Sequence, residues 1–165
     1  MIQRAFLSEL EHEAAGVRRT IERVPPADLD WRPHEKSMTF RGLVTHLVNV
    51  PRWGAMTLTT DRFDMAPGGE VITEEPLAGI PEALATLDDN VASFERALRD
   101  ATEDDLTAVW TLERNGEPIF ALPRIGVLRG MIMNHAIHHR AQLALYLRLR
   151  DVAVPSLYGP TADEA

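Results

Sequence analysis

The sequence predicts an all-α protein, specifically a four-helix bundle with long crossover connections. Four segments of about 20 residues or more repeat apolar side chains with the helical period. Two of the connections between them are far too long to be hairpin turns, which is typical of crossover bundles. Because no internal repeat or composition shift divides the 165 residues, we expect one domain over 1–165, with an extended tail at 152–165.

The first two helices are indicated by their apolar spacing and by the residues at their ends. Residues 2–24 follow the helical pattern, and Pro25-Pro26 ends it because proline lacks the amide proton that a helix interior needs. Ser37 is the predicted N-cap of the second helix. Pro51 falls within this second pattern and should bend the helix if it continues to about residue 60.

A loop, a third helix, a hairpin and a fourth helix complete the chain. Residues 61–80 are rich in proline and glycine and are predicted to form a long crossing loop. The third helix begins near Pro81, a favourable residue for the first turn. An Asn-Gly pair between apolar residues predicts a small β-hairpin near residues 109–120. The fourth helix is predicted from about Arg124 to Arg150.

Composition and charge exclude several classes of protein. A net charge of −8 argues against a nucleic-acid partner, because binding phosphates requires a basic face. No apolar run approaches the ~20 residues that cross a membrane, and the acidic N-terminal region lacks a signal-peptide core, so we expect a cytoplasmic protein. The absence of cysteine excludes disulfides, thiolate zinc sites and a protein-borne thiol nucleophile. Any metal would therefore have only nitrogen and oxygen ligands.

Two histidines on the fourth helix are the most informative feature of the chain. His135 and His139 are four residues apart, so their side chains share a face of the helix. This face is the apolar stripe that runs from Leu128 to Leu147, which predicts that both rings point toward the core. Two buried imidazoles need two sets of partners, since an unpaired buried polar group costs about 1–3 kcal/mol. A shared metal ion satisfies both rings, and a metal-free, hydrogen-bonded core pair is the alternative.

A third histidine, on the second helix, completes a candidate metal site. His46 shares a face with Leu43, Val50 and Trp53, so it also points inward. Helical bundles build metal sites from facing side chains on different helices. We therefore predict that His46, His135 and His139 bind a divalent metal ion, for which zinc, nickel, iron and manganese are all candidates.

The nearby polar residues leave alternatives open. A His135–His138 pair is sterically possible, but His138 lies about one helical step off the apolar stripe, so we take His139 as the ligand. Glu13 and His138 are candidate proton carriers if the protein is an enzyme.

Other histidines and polar residues receive no firm role from the sequence. His12 is expected at the rim, and His34 is expected to be structural or exposed. Arg140 and Gln142 are expected on the solvated helix surface, with orientation of the cavity as the alternative.

These motifs together resemble the DinB family of bacterial proteins. The resemblance is carried by Thr45-His46-Leu47 followed by Trp53, and by the run from His135 to Leu143 with its Arg-x-Gln-Leu continuation. The approach to the second helix at 31–37 and the ending at 154–160 also match, so the resemblance covers nearly the whole chain.

The resemblance implies a four-helix bundle in which three histidines hold a divalent metal, often within a homodimer. Ala141 departs from the glycine that is frequent in the family, without consequence for the ligands. Related enzymes include mycothiol-dependent maleylpyruvate isomerases and bacillithiol transferases. The leading hypothesis is therefore a transferase that joins a low-molecular-weight thiol to a small electrophile. The alternatives are a hydrolase that uses metal-bound water, and a non-enzymatic metal-binding or dimerisation bundle.

Overall fold

The computed structural model describes residues 2–165 and shows the predicted bundle of four long helices. The first three are α1 (Ile2–Ile21), α2 (Phe40–Thr59) and α3 (Ile80–Asp100). A short helix, α4 (Glu103–Thr107), lies in the second long connection. The fourth bundle helix consists of α5 (Arg124–Val127), a π-helical segment (Leu128–Met133) and α6 (Asn134–Leu149).

The apolar stripes of the helices meet in two buried clusters that form the core. Helix α2 packs against α3 and α6, and α1 packs against the same two helices. Gly54 allows the close approach of α2 and α3, because a Cβ atom there would lie 2.6 Å from the ring of Phe94. The largest fully buried side chains of the two clusters are Ile21, Phe40, Leu43, Leu47, Val48, Leu87, Leu143 and Leu147 in one, and Phe94, Leu98, Leu128 and Met133 in the other.

A three-stranded sheet stands beside the bundle and contains the predicted hairpin. Its strands are β1 (Arg62–Asp64), β2 (Val109–Arg114) and β3 (Glu117–Pro123), in the order β1-β2-β3. Strands β2 and β3 are antiparallel, and their turn residues Asn115 and Gly116 have φ angles of 53° and 78°, as a type I′ turn requires.

Strand β1 was not expected, since the loop prediction for residues 61–80 contained no strand. It pairs in parallel with β2, and hydrogen bonds to the Asp64 carboxylate stabilise this pairing. This carboxylate accepts hydrogen bonds from the backbone N–H groups of Ala66, Asn115 and Gly116 at 2.8–2.9 Å. These bonds, that from Ala66 first, lower the pKa of Asp64. The two long connections are thereby joined into one sheet.

Two local predictions were wrong: the N-cap of α2 and the place of Met131 on the apolar stripe of the fourth helix. The N-cap of α2 is Thr39, whose side chain accepts a hydrogen bond from the N–H of Gly42 at 3.0 Å, whereas Ser37 lies in a turn closed onto His34. The fourth helix spans the predicted residues, from Arg124 to Leu149, but the π-helical segment within it shifts its register. As a result Met131, placed on the apolar stripe by its spacing, is 44% exposed.

The tail from residue 152 onward has no helix or strand and lies along the bundle. Ion pairs between Arg23 and Glu164 and between Arg148 and Asp163 hold its last residues. Within residues 2–165, no helix is both long enough and apolar enough to cross a membrane.

Candidate metal centre

Three histidine side chains from two helices converge in the bundle. His46 comes from the middle of α2, and His135 and His139 come from the first turns of α6. The three rings each offer one nitrogen, and these nitrogens all lie within 4.8 Å of one another. The Nε2 atom of His135 is 3.2 Å from Nε2 of His46 and 2.8 Å from Nε2 of His139. We call these residues the histidine cluster.

Oxygen acceptors orient the two outer rings of this cluster. Nδ1 of His139 donates to Oε1 of Gln142 at 2.7 Å, and Nδ1 of His46 donates to Oε2 of Glu74 at 3.4 Å. A proton on Nδ1 leaves a lone pair on Nε2 of each neutral ring. Both lone pairs are directed at His135. An oxygen acceptor behind each imidazole is also the usual arrangement behind metal-binding histidines.

The environment of His135 keeps its ring neutral. Burial, followed by the proximity of His139 and His46, lowers the pKa of His135 to about 4 from its ordinary 6.5. The nearby backbone carbonyl of Met131 raises the pKa of His135 to a lesser extent. The buried Nδ1 atom of His135 makes no hydrogen bond of normal geometry. Burial likewise lowers the pKa of His139. At neutral pH the rings of His135 and His139 are therefore uncharged, which is the form that binds metal ions.

A divalent cation fits this donor set better than a hydrogen-bonded core does. A neutral imidazole Nε2 has either one lone pair or one proton, so Nε2 of His135 cannot satisfy both neighbouring Nε2 atoms. With the outer protons on Nδ1, the two outer Nε2 atoms both have lone pairs, and a single proton on Nε2 of His135 could be donated to only one of them. A cation between them satisfies all three, and three nitrogen ligands are typical of zinc sites with an open position.

A cavity of about 300 Å³ adjoins the histidine cluster. It lies between the sheet on one side and α2 with the π-helical segment on the other, and His46 and His135 form part of its wall. Its remaining wall consists of Trp53, Met56, Thr57, Phe63, Met65, Trp110, Leu112, Phe120, Val127, Met131 and Ile132.

Glu13 and Arg140 form a second buried polar cluster, which Tyr158 of the tail, itself 64% exposed, joins through its hydroxyl. Nη1 of Arg140 lies 2.5 Å from Oε2 of Glu13, and the two side chains are 3% and 8% exposed. The Tyr158 hydroxyl donates to Glu13 at 2.8 Å and accepts from Arg140. We call these three residues the arginine cluster. The prediction that Arg140 lies on the solvated surface was wrong, and the Glu13 carboxylate is engaged here.

The remaining predicted residues lie at the surface. The exposed ring of His138 is centred 4.9 Å from that of His139, and His138 is absent from the converging group. His12 is exposed and stacks against Tyr158 with centroids 6.0 Å apart. His34 is exposed and accepts a hydrogen bond from the backbone N–H of Lys36 at 3.1 Å.

Sequence reasoning missed Glu74 and most of the cavity wall. Glu74 lies in the connection between β1 and α3, where no periodic pattern places a side chain. Its other carboxylate oxygen, Oε1, is buried without a hydrogen-bond partner. Neighbouring Glu75 is exposed, so composition alone could not have distinguished the two residues.

The sequence profile of the DinB superfamily matches residues 9–143, which is most of the chain. The chain belongs to the DinB superfamily. A comparison with curated protein sequences finds no significant match.

Solved structures of DinB-like proteins share the fold at low sequence identity. YjoA, a DinB-like protein from Bacillus subtilis, superposes with a TM-score of 0.70 at 16% identity, over 95% of this chain and 99% of its own. A DinB-like protein from Bacillus cereus gives 0.67 at 18% identity, over 93% and 95%. YfiT from Bacillus subtilis gives 0.70 at 16% identity, over 92% and 89%. YfiT is described as a probable metal-dependent hydrolase with an unusual four-helix bundle topology.

Proposed function

We propose that this DinB protein is a divalent-metal-dependent enzyme whose metal ligands are His46, His135 and His139. The observation that carries the proposal is the convergence of three imidazole nitrogens beside an apolar cavity. Catalytic metal sites combine a small set of protein ligands with open positions that face a substrate. A closed structural site would use a fourth protein ligand, and the converging group within residues 2–165 contains three.

The residues of the site have separable roles. When bound, a divalent ion supplies Lewis acidity, which lowers the pKa of a bound thiol or water toward neutrality. The histidines hold that ion at the cavity wall, and Glu74 and Gln142 orient the rings of His46 and His139. The apolar wall excludes water from the reacting atoms.

The leading reaction is transfer of a low-molecular-weight thiol to a small electrophile. The thiol sulfur forms a bond to carbon, its proton passes to solvent, and the leaving group departs with the bonding electron pair. Support comes from the resemblance of the histidine motifs to those of thiol-dependent enzymes and from the absence of a cysteine nucleophile in the chain.

Hydrolysis is the second candidate, and the description of YfiT favours it. In that reaction the oxygen of water forms the new bond, and the scissile bond breaks with its electron pair going to the leaving group. The proton of the water passes to the leaving group or to solvent. Incubation with bacterial thiols and a generic electrophile, in parallel with ester and amide substrates lacking a thiol, separates the two reactions. Metal-dependent conjugation supports thiol transfer, and metal-dependent turnover without thiol supports hydrolysis.

We also propose that the protein forms a homodimer. It rests on the family resemblance, and analytical ultracentrifugation of the untagged protein tests it. Sedimentation as a monomer of 18.4 kDa at micromolar concentration would contradict it.

Elemental analysis of the untagged protein is the deciding experiment for the metal. We expect about one divalent ion per chain in the wild type and almost none in His135→Ala or His46→Ala, since two imidazoles hold a metal far less tightly than three. The matched control is His138→Ala, which removes an exposed histidine from the same helix and should leave the metal content unchanged. A wild type without metal, even after reconstitution with zinc, nickel and manganese, would overturn the proposal.

A further inference from the structure

The cavity beside the histidine cluster has an almost entirely apolar wall. Apart from His46, His135 and Thr57, every side chain that lines it is apolar or aromatic, and none carries a charge at neutral pH. We propose that this cavity binds the electrophilic substrate, and that the substrate is an uncharged, largely apolar molecule about the size of a single substituted aromatic ring. This inference rests on the proposed function and names the substrate class of the same site.

Two polar side-chain groups of the wall, those of Thr57 and Trp110, already donate hydrogen bonds within the protein. The Thr57 hydroxyl donates to the carbonyl of Trp53 at 2.8 Å. The indole N–H of Trp110 donates to the Thr60 hydroxyl at 3.2 Å. Neither group has a proton left to donate to a polar substituent of a ligand. Polar recognition is therefore confined to the histidine end of the cavity, where the reactive group of the substrate would lie.

An ionised substrate would bind poorly in this setting. An ion that leaves water for an apolar cavity loses hydration free energy, and this loss must be offset by a partner of opposite charge. The side chains of the wall provide no such partner, as neither carboxylates nor guanidinium groups line the cavity, and a metal ion held as proposed would attract an anion only at the histidine end. The volume of about 300 Å³ is at the lower end of the ~300–1,000 Å³ usual for small-molecule sites, which favours a small ligand.

The wall chemistry also favours an aromatic or similarly flat molecule. Phe63 and Phe120 come from the sheet, and Trp53 faces them from α2, so rings line two opposing sides. Aromatic rings bind one another in offset or edge-to-face geometry. Met56 and Met65 add flexible thioether chains that adapt to ligands of different outline.

Binding of two probes of similar size and different charge tests the inference. We would titrate methyl benzoate and benzenesulfonate into the Trp31→Phe variant at neutral pH and follow tryptophan fluorescence. Trp31 packs against Phe40 and Tyr146, away from the cavity, so its removal leaves Trp53 and Trp110, which line the cavity. We expect methyl benzoate to bind at least about tenfold more tightly than benzenesulfonate.

Two variants of strand β2 locate the binding site. Leu112→Asp puts a charge into the wall and should weaken methyl benzoate binding by about tenfold or more. The control, Val109→Asp, changes a 59% exposed residue of the same strand and should alter it by less than about twofold. Circular dichroism and metal content verify that both variants are folded. Equal or tighter binding of benzenesulfonate by the parent protein, or equal loss in both folded variants, would overturn the inference.

Repeating the titrations after chelation separates this inference from the proposed function. The cavity wall exists without the metal, so selective methyl benzoate binding should persist in metal-stripped protein. A protein that binds metal but shows no preference for the neutral probe retains the proposed function and refutes the substrate class. A protein that prefers the neutral probe but never binds metal loses the proposed function while its cavity selectivity stands.

Discussion

His139 and Arg140 are adjacent in the chain, yet their side chains enter two different buried polar clusters. In the arginine cluster, charges are matched: the guanidinium of Arg140 faces the carboxylate of Glu13, and the Tyr158 hydroxyl binds both. In the histidine cluster, like groups face one another and Nε2 of His135 has two nitrogen neighbours that it cannot both satisfy. One cluster completes itself within the protein, and the other has a donor geometry that a cation would complete.

The contrast shows how burial of polar groups can distinguish a structural role from a functional one. The arginine cluster joins α1, α6 and the tail, and its polar groups form hydrogen bonds and an ion pair with one another. The histidine cluster borders a cavity, and its donors converge on a point between them. We therefore expect changes in the first cluster to alter the stability of the fold, and changes in the second to alter ligand binding.

The largest expected effect is that of Arg140→Ala on stability. The change leaves the Glu13 carboxylate buried without its cation, which typically costs about 3–5 kcal/mol of unfolding free energy. Urea denaturation measures the loss. The control is Arg148→Ala, whose half-exposed ion pair with Asp163 should be worth less than about 1 kcal/mol. Similar losses in the two variants would remove the structural role assigned to the arginine cluster.

The next effect concerns metal affinity in Glu74→Ala. Loss of the carboxylate behind His46 should weaken metal binding by about 10–100-fold, because it no longer orients the ring or raises its basicity. Competition with a chromophoric chelator measures the affinity. Glu75→Ala, which removes the adjacent exposed carboxylate, should retain wild-type affinity. If both variants bind metal equally well, Glu74 does not support the site.

A smaller effect is expected for Tyr158→Phe. The variant keeps the ring and deletes the hydroxyl that donates to Glu13 and accepts from Arg140, a loss of about 1–2 kcal/mol. Metal affinity should be unchanged. Tyr146→Phe is the matched control, because its ring packs against Trp31 and Phe40 and its hydroxyl lies outside the arginine cluster. Thermal unfolding in the presence of chelator should show a shift only for Tyr158→Phe.

A further effect concerns the pH dependence of the metal-stripped protein. Because burial lowers the pKa of His135 to about 4 from 6.5, the unfolded chain binds a proton in this range that the folded chain does not. The unfolding free energy should therefore keep its full value above about pH 6.5 and decrease as the pH falls toward 4. When the unfolding free energy from urea denaturation is plotted against pH over this range, the slope should be shallower for His135→Ala than for the wild type. The exposed control His138→Ala should follow the wild type, and three parallel curves would contradict the effect of burial.

Much of the bundle could be predicted because its information is local. The apolar period of α1, α2 and α3 and the proline pair after α1 depend only on neighbouring residues, and the Asn115-Gly116 turn is equally local. The convergence of His46 with His135 and His139 could also be anticipated, since each lies on the inward face of its helix. Whether these histidines bind a metal stays a prediction.

The unpredicted features depend on contacts between distant segments. The π-helical segment Leu128–Met133 adds no distinctive residue to the pattern, and its register shift is set by packing rather than by spacing. Strand β1 has three residues and is stabilised by pairing with β2 and by Asp64. Arg140 resembles any helical arginine until Glu13 is placed opposite it.

The division of the cavity between sheet and helices has an evolutionary consequence. Phe63, Leu112 and Phe120 belong to strands from the two long connections, whereas all three histidines belong to the bundle helices. Substitutions in the strands can reshape the space for a guest molecule and leave the histidines in place. Under the proposed function, such a scaffold can acquire new substrates through changes in the strands while the metal ligands stay the same.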